Sequence, residues 1–278
     1  MSSLEPELGA PEFAGALSNI APVTGPPQDL DERVEREKEF YNSKGQTRYH
    51  LLRAWIWRAR GEFKRNEDQS DFYDPAGKDV LDYGCGPGYL TNELLDRGAV
   101  HVTGIDISEG EIEEAHRRAV ADGVADRATH LVVDAHNMPF EDDSFDLVVG
   151  DSILHHLELE VALRELRRVL RPGGRAVFME PLWHSPFLRL GRALTPSART
   201  PDEHPLTVAD WELCGRIFPE FEHHEREFLT IPLMPLNLVL PQSAQKRLAR
   251  RVHRADDRVL ARFPRTRKYA RITFLVLK

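Results

Sequence analysis

The sequence is poor in cysteine, with only Cys85 and Cys214 in 278 residues. Their separation fits neither a zinc-ligand spacing nor a disulfide framework, and the expected setting is a reducing cytoplasm. Positive charge is missing from the start of the chain: no Lys or Arg precedes Arg33, and no apolar run stands there that a secretory signal would need. Long hydrophobic runs are missing too. The longest uncharged stretch, Phe228 to Gln245, is broken by Pro232, Pro235 and Pro241, which argues against a membrane-spanning helix and for a soluble protein. At 41% hydrophobic residues the chain can still bury the core of one large domain with additions.

What charge there is falls unevenly. Of a net −8, the segment Pro241 to Lys278 carries +10 and the first 240 residues −18. The favoured reading is a solvated helix face partly paired with the protein's own acids. A weak contact with a membrane or a phosphate-bearing partner through this basic C-terminal helix is the alternative.

Residues 1–31 are rich in Pro, Gly, Ala and acids without periodicity and are expected to be a disordered leader. Residues 32–75 carry apolar positions at helical spacing, including Val34, Tyr41, Tyr49, Trp55 and Phe63, and are expected to form a helical lid. From residue 76 to 181 short apolar runs alternate with helical stretches, the pattern of a parallel sheet covered on both faces. Residues 182–278 break that alternation. Leu182 to Thr207 reads as a loop, Val208 to Ile217 as a helix, and Phe221 to Ile231 and Arg271 to Leu277 as strands, with one basic amphipathic helix between them.

The most informative stretch is VLDYGCGPGYL, Val80 to Leu90, a strand running into three closely spaced glycines, Gly84, Gly86 and Gly88. Such a loop gathers backbone N–H groups and a helix N-terminus around a small space. A dinucleotide fingerprint would need a third glycine where Tyr89 stands, and no Lys follows the loop to meet a pyrophosphate. Instead acids collect. Asp106 ends the second strand, where a carboxylate can accept from both hydroxyls of a ribose; Asp134 ends the third and could take an exocyclic amine, with Ile107 offering an apolar face to a purine. Asp82 is placed to meet an ammonium. A cationic adenosine ligand fits this balance best.

At these residues the chain resembles the class I S-adenosylmethionine-dependent methyltransferases. VLDYGCGPG is similar to their first motif, VTGIDIS to the second-strand acid motif, VVDAHNMPFEDDSFDLVV to the third-to-fourth strand region, and LRELRRVLRPGGRAVFMEP to the helix, turn and fifth strand. The resemblance covers about Val80 to Pro181 and implies a Rossmann-like, doubly wound seven-stranded sheet, mostly parallel with its last strand antiparallel. It also implies that Asp82, Gly84, Gly86 and Gly88 surround the methionine part of S-adenosyl-L-methionine, Asp106 the ribose, and Ile107, Asp134 and Ala135 the adenine, with Asp151 near the amino-acid end.

Methyl transfer from a sulfonium needs alignment and, where the acceptor holds a proton, a base. His155, then His156, in SILHHL, and Glu180 in FMEP are the candidates at the strand ends. Adjacent histidines cannot both face the cofactor in an extended or helical segment, so one of them is expected to be structural. Trp55, Trp57, Tyr49, Trp183, Phe187 and the run Ile231 to Leu240 suggest a partly closed apolar pocket. The expected activity is methyl transfer to a small or medium, largely apolar metabolite, with O-methylation favoured. A protein that binds the cofactor without transferring its methyl is the alternative. Nucleic acid is not expected as a partner, since the basic segment lacks interleaved aromatics.

Overall fold

The protein's computed structural model describes residues 30–43, 69–194, 200–233, 236 and 239–278. The apolar runs form strands β1 (Asp79–Tyr83), β2 (His101–Asp106), β3 (Ala128–Val132), β4 (Phe145–Asp151), β5 (Leu170–Pro181), β6 (Phe221–Arg226) and β7 (Ile272–Leu277). They make one seven-stranded sheet in the order β3-β2-β1-β4-β5-β7-β6. Strands β1 to β5 pair in parallel, and β7 runs antiparallel between β5 and β6. The strand order reverses between β1 and β4, which opens a crevice at their carboxyl ends.

Side chains alternate across the sheet, so Leu81 and Tyr83 join one core cluster and Val80 the other. The described helices are α1 (Leu30–Ser43), α2 (Tyr89–Asp96), α3 (Glu109–Ala121), α4 (Leu159–Val169), α5 (Pro186–Leu194), α6 (Val208–Ile217), α7 (Thr230–Leu233) and α8 (Gln242–Arg262). Helix α4 buries Leu159, Ala162, Leu163, Leu166 and Val169, the spacing of one apolar stripe, beneath β4 and β5. Helix α3 starts at Ser108, whose hydroxyl accepts from Glu111 N, with Glu109 and Glu111 in the first turn against the helix dipole. Among the described residues no helix is long and apolar enough to cross a membrane.

Two segments differ from the sequence reading. The loop expected over Leu182 to Thr207 contains α5, which begins at Pro186, where a missing N–H costs a helix nothing. The strand expected over Phe221 to Ile231 stops at Arg226: Glu227 adopts φ 69, and the chain turns into the short α7. The buried carboxylate of Asp256 on α8 accepts from Leu229 N at 2.6 Å and from Thr230 Oγ1 at 3.2 Å, fixing that helical turn.

Candidate functional site

At the carboxyl ends of β1, β2 and β4 lies a cavity of about 620 Å³. The glycine loop forms one wall. Gly84 has φ +74, and a Cβ there would stand 2.7 Å from Ile153 Cγ1, so any side chain would displace the wall behind it. Gly86 has φ +48 and open space where a Cβ would be, which leaves its backbone free for the close approach of a ligand. Gly88 does not line the cavity; a Cβ on it would press on Ala115 of α3 at 3.1 Å, which makes it a packing position between α2 and α3.

Asp82, Asp106, Ile107, Asp134, Ala135 and Asp151 all line the cavity with Gly84 and Gly86. Asp106 is tied by both oxygens, accepting from Gly86 N at 3.0 Å and Ser108 N at 2.9 Å, so the second-strand acid also holds the glycine loop to the start of α3. Burial raises its pKa while those amides resist the rise. Asp134 accepts from both N and Nδ1 of His136, and although burial opposes it, that contact holds its pKa below the usual carboxylate value. Asp82 is buried and accepts from Thr91 Oγ1 at 2.6 Å. Burial pushes its carboxyl up to about 7, against the Thr91 hydrogen bond and with further push from Asp106 and Asp151. Three carboxylates crowded in this way favour a cationic ligand.

The opposite wall carries the histidines. The 3₁₀ turn Leu154–His156 follows β4, and its two buried histidines both line the cavity. Glu180 does not line it. Fully buried on β5, its Oε1 accepts from the amides of Ile153 at 2.9 Å and Leu154 at 2.7 Å, and its Oε2 contacts His155 Nδ1 at 2.6 Å. Glu180 therefore holds the turn and the His155 ring from behind the cavity wall. Burial disfavours a charge on His155, but the Glu180 carboxylate overrides it and lifts the pKa above the ordinary histidine value. His156 goes the other way, lowered by burial and by the charge of His155. Its Nε2 is bonded to Tyr41 Oη at 3.0 Å.

Helix α1 roofs this side. Arg33 Nη2 donates to the carbonyl of His156 at 2.9 Å, Arg36 Nε donates to Asp202 Oδ2 at 2.9 Å, and Ser108 Oγ donates to Asn42 Oδ1 at 2.8 Å. Glu37 Oε2 stands 3.3 Å from His156 Nδ1 without the alignment of a hydrogen bond. Arg33, Val34, Glu37 and Tyr41 of α1 line the cavity, as do Glu203 and Arg271 from distant parts of the chain.

Sequence reasoning missed Arg33, Glu37, Glu203, Arg271 and His136. His136 alone had a local signal, standing two residues beyond Asp134; its Nε2 accepts from Glu158 N at 2.9 Å and clamps the end of β3 to the start of α4. Trp183 and Phe187 do not line the cavity, and Tyr49, Trp55 and Trp57 lie outside the described residues. The described lining mixes Val34, Ile153, Leu157 and Met179 with charged groups, so it is less apolar than the aromatic-rich segments suggested.

The geometry fits S-adenosylmethionine: backbone approach at Gly86, a carboxylate at the second strand's tip and a crowded acidic edge suited to a sulfonium and an ammonium. A methyltransferase-domain family profile matches residues 80–174. The chain is 43% identical over 101 residues to the 27-O-demethylrifamycin SV methyltransferase of Amycolatopsis mediterranei, a match covering 36% of this chain and 37% of that protein. It is 31% identical over 178 residues to a demethylmenaquinone methyltransferase of Symbiobacterium thermophilum, covering 62% of this chain and 68% of the relative. Against the demethylrifamycin methyltransferase the match thus spans little more than a third of the relative's length. Phosphoethanolamine N-methyltransferase 2 of Haemonchus contortus shares the fold, with a TM-score of 0.60 and 18% identity over 86% of this chain and 58% of that one. With the four motifs, the sheet order and the acidic edge in agreement, the chain belongs to the class I S-adenosylmethionine-dependent methyltransferases.

Proposed function

We propose that this protein transfers the methyl group of S-adenosylmethionine to a hydroxyl of a small metabolite, with His155 as the general base. The observation that carries this reading is the His155–Glu180 pair set in the cavity wall across from the acidic edge. When bound, S-adenosylmethionine supplies an electrophilic methyl on a positively charged sulfur. Asp106 would accept from the ribose hydroxyls, Asp134, Ala135 and Ile107 would surround the adenine, and Asp82 and Asp151 would face the amino-acid end. Gly84 and Gly86 would let the backbone approach it.

Glu180 decides the state of His155. A carboxylate on Nδ1 selects the tautomer with its proton there, leaving Nε2 to take a proton from the substrate hydroxyl, and then stabilises the imidazolium that results. His156, held by Tyr41, would set the position of the turn. In the same reading residues 76–181 hold the cofactor, residues 32–75 close the substrate side through α1, and residues 182–278 complete the cap through Glu203 and Arg271. The demethylrifamycin and the demethylmenaquinone named in the relatives are small molecules, which supports a metabolite substrate.

The test is incubation of the protein with methyl-labelled S-adenosylmethionine and a metabolite extract, followed by mass spectrometry. Label in a methoxy group of a small product, with stoichiometric S-adenosylhomocysteine, is the expected result. Label on carbon or nitrogen would overturn the hydroxyl assignment, and tight cofactor binding with no transfer to any metabolite would favour a non-transferring role.

A further inference from the structure

The basic end of the chain is paired with acids in part, Arg267 with Glu225, Arg271 with Glu227 and Lys278 with Glu220 at 3.5 Å, but six arginines of its helix are not. On α8, Arg247, Arg250, Arg251, Arg254, Arg258 and Arg262 are all exposed, and none of them forms an ion pair with a described residue. At about 3.6 residues per turn they fall within roughly 120° of the helix circumference. The buried Ala249, Val252, Asp256 and Leu260 occupy the opposite side, against the turn at α7. Asp257 is the one exposed acid on the helix. From Arg247 to Arg262 the cationic face is about 22 Å long at 1.5 Å per residue.

Exposed apolar side chains stand just beyond both ends of α8, and the Arg262 guanidinium lies over the Phe263 ring. Leu236 and Val239 are 39% and 76% exposed just before α8, and Phe263 is 54% exposed just after it. We propose that α8 docks this protein onto an anionic lipid bilayer, its arginines on the headgroup phosphates and Phe263 and Val239 entering the interface. Charge complementarity selects the partner. A flat run of arginines bounded by apolar residues suits a bilayer surface, whereas single-stranded nucleic acid calls for aromatics among the cations, and α8 has none. The −18 of the first 240 residues would be repelled by the same surface, which leaves α8 as the contacting face. Beyond α8 the chain passes through the 3₁₀ turn Pro264–Tyr269 to Arg271 in the cavity lining. None of this depends on which acceptor is methylated.

The experiment is co-sedimentation of the full chain with vesicles of phosphatidylcholine alone or with about one third phosphatidylglycerol, at about 50 mM and about 500 mM salt. Expected is partitioning at least about tenfold stronger on the anionic vesicles at low salt, abolished at high salt. The joint substitution of Arg247, Arg251, Arg254 and Arg258 by Gln should remove it with the melting temperature unchanged, while the same four changed to Lys should keep it. Phe263→Ser should weaken binding severalfold without altering its salt dependence. Equal binding to neutral and anionic vesicles, no binding to either, or preferential binding of mixed-sequence RNA at the same salt would each overturn the proposal.

Discussion

Asp82 shows how much of the site is written in one carboxylate. Its pKa of about 7 means that the folded chain holds the proton more tightly than the unfolded chain does. That contribution to stability is complete below the ordinary carboxylate range and is lost as pH rises through about 7. Asp82→Asn should therefore raise the melting temperature of the ligand-free protein at pH 8, by the equivalent of about 2–4 kcal/mol, and barely change it at pH 4. Cofactor affinity should fall in the same variant and, in the wild type, should rise with pH through about 7, both read by calorimetric titration. A second residue prediction concerns Glu180. In Glu180→Gln an amide replaces the carboxylate at Nδ1, so turnover should fall by about 10²–10⁴. The rising limb of the pH–rate profile should also move to lower pH, because the charge that lifts the His155 pKa is gone. A Glu180 that merely filled space would leave the position of that limb unchanged.

At the scale of elements, α4 follows the turn Leu154–His156 and packs it onto the sheet. Leu166 is fully buried under β4 and β5, and Leu166→Ala should cost about 2–5 kcal/mol, seen as a lower denaturation midpoint. This element was legible because its apolar stripe repeats at helical spacing over 11 residues, and β1 to β4 were legible because each is a short apolar run between turn signals. The glycine loop and Asp106 were readable for the same local reason: loop, strand tip and acid are set by neighbours in sequence. Helix α5 was hidden by prolines at 181, 186, 196, 201 and 205, which signal a loop from composition although one of them opens a helix. The turn after β6 was hidden because the Asp256 carboxylate that fixes it lies 27 residues away from Leu229. Long-range partners of that kind leave no periodicity.

For the whole molecule the same division holds. The acidic edge of the cavity is contributed by consecutive strand ends, whereas the opposite wall draws on α1, Glu203 and Arg271, more than 200 residues apart at the extremes. Arg36 on Asp202 joins the first described helix to the segment after β5, and Arg33 on the His156 carbonyl joins it to the turn after β4, contacts that no local pattern connects. Glu180 was visible as a strand-end acid, but only the folded sheet shows that it faces His155 and not the cavity. The most direct test of the proposed chemistry is turnover of His155→Ala on the substrate identified by labelling, measured beside its cofactor affinity. If His155 takes the hydroxyl proton, kcat falls by about 10²–10⁴ while the Kd for S-adenosylmethionine changes by less than about threefold. Near-normal kcat with intact cofactor binding would contradict it and leave alignment alone as the protein's contribution.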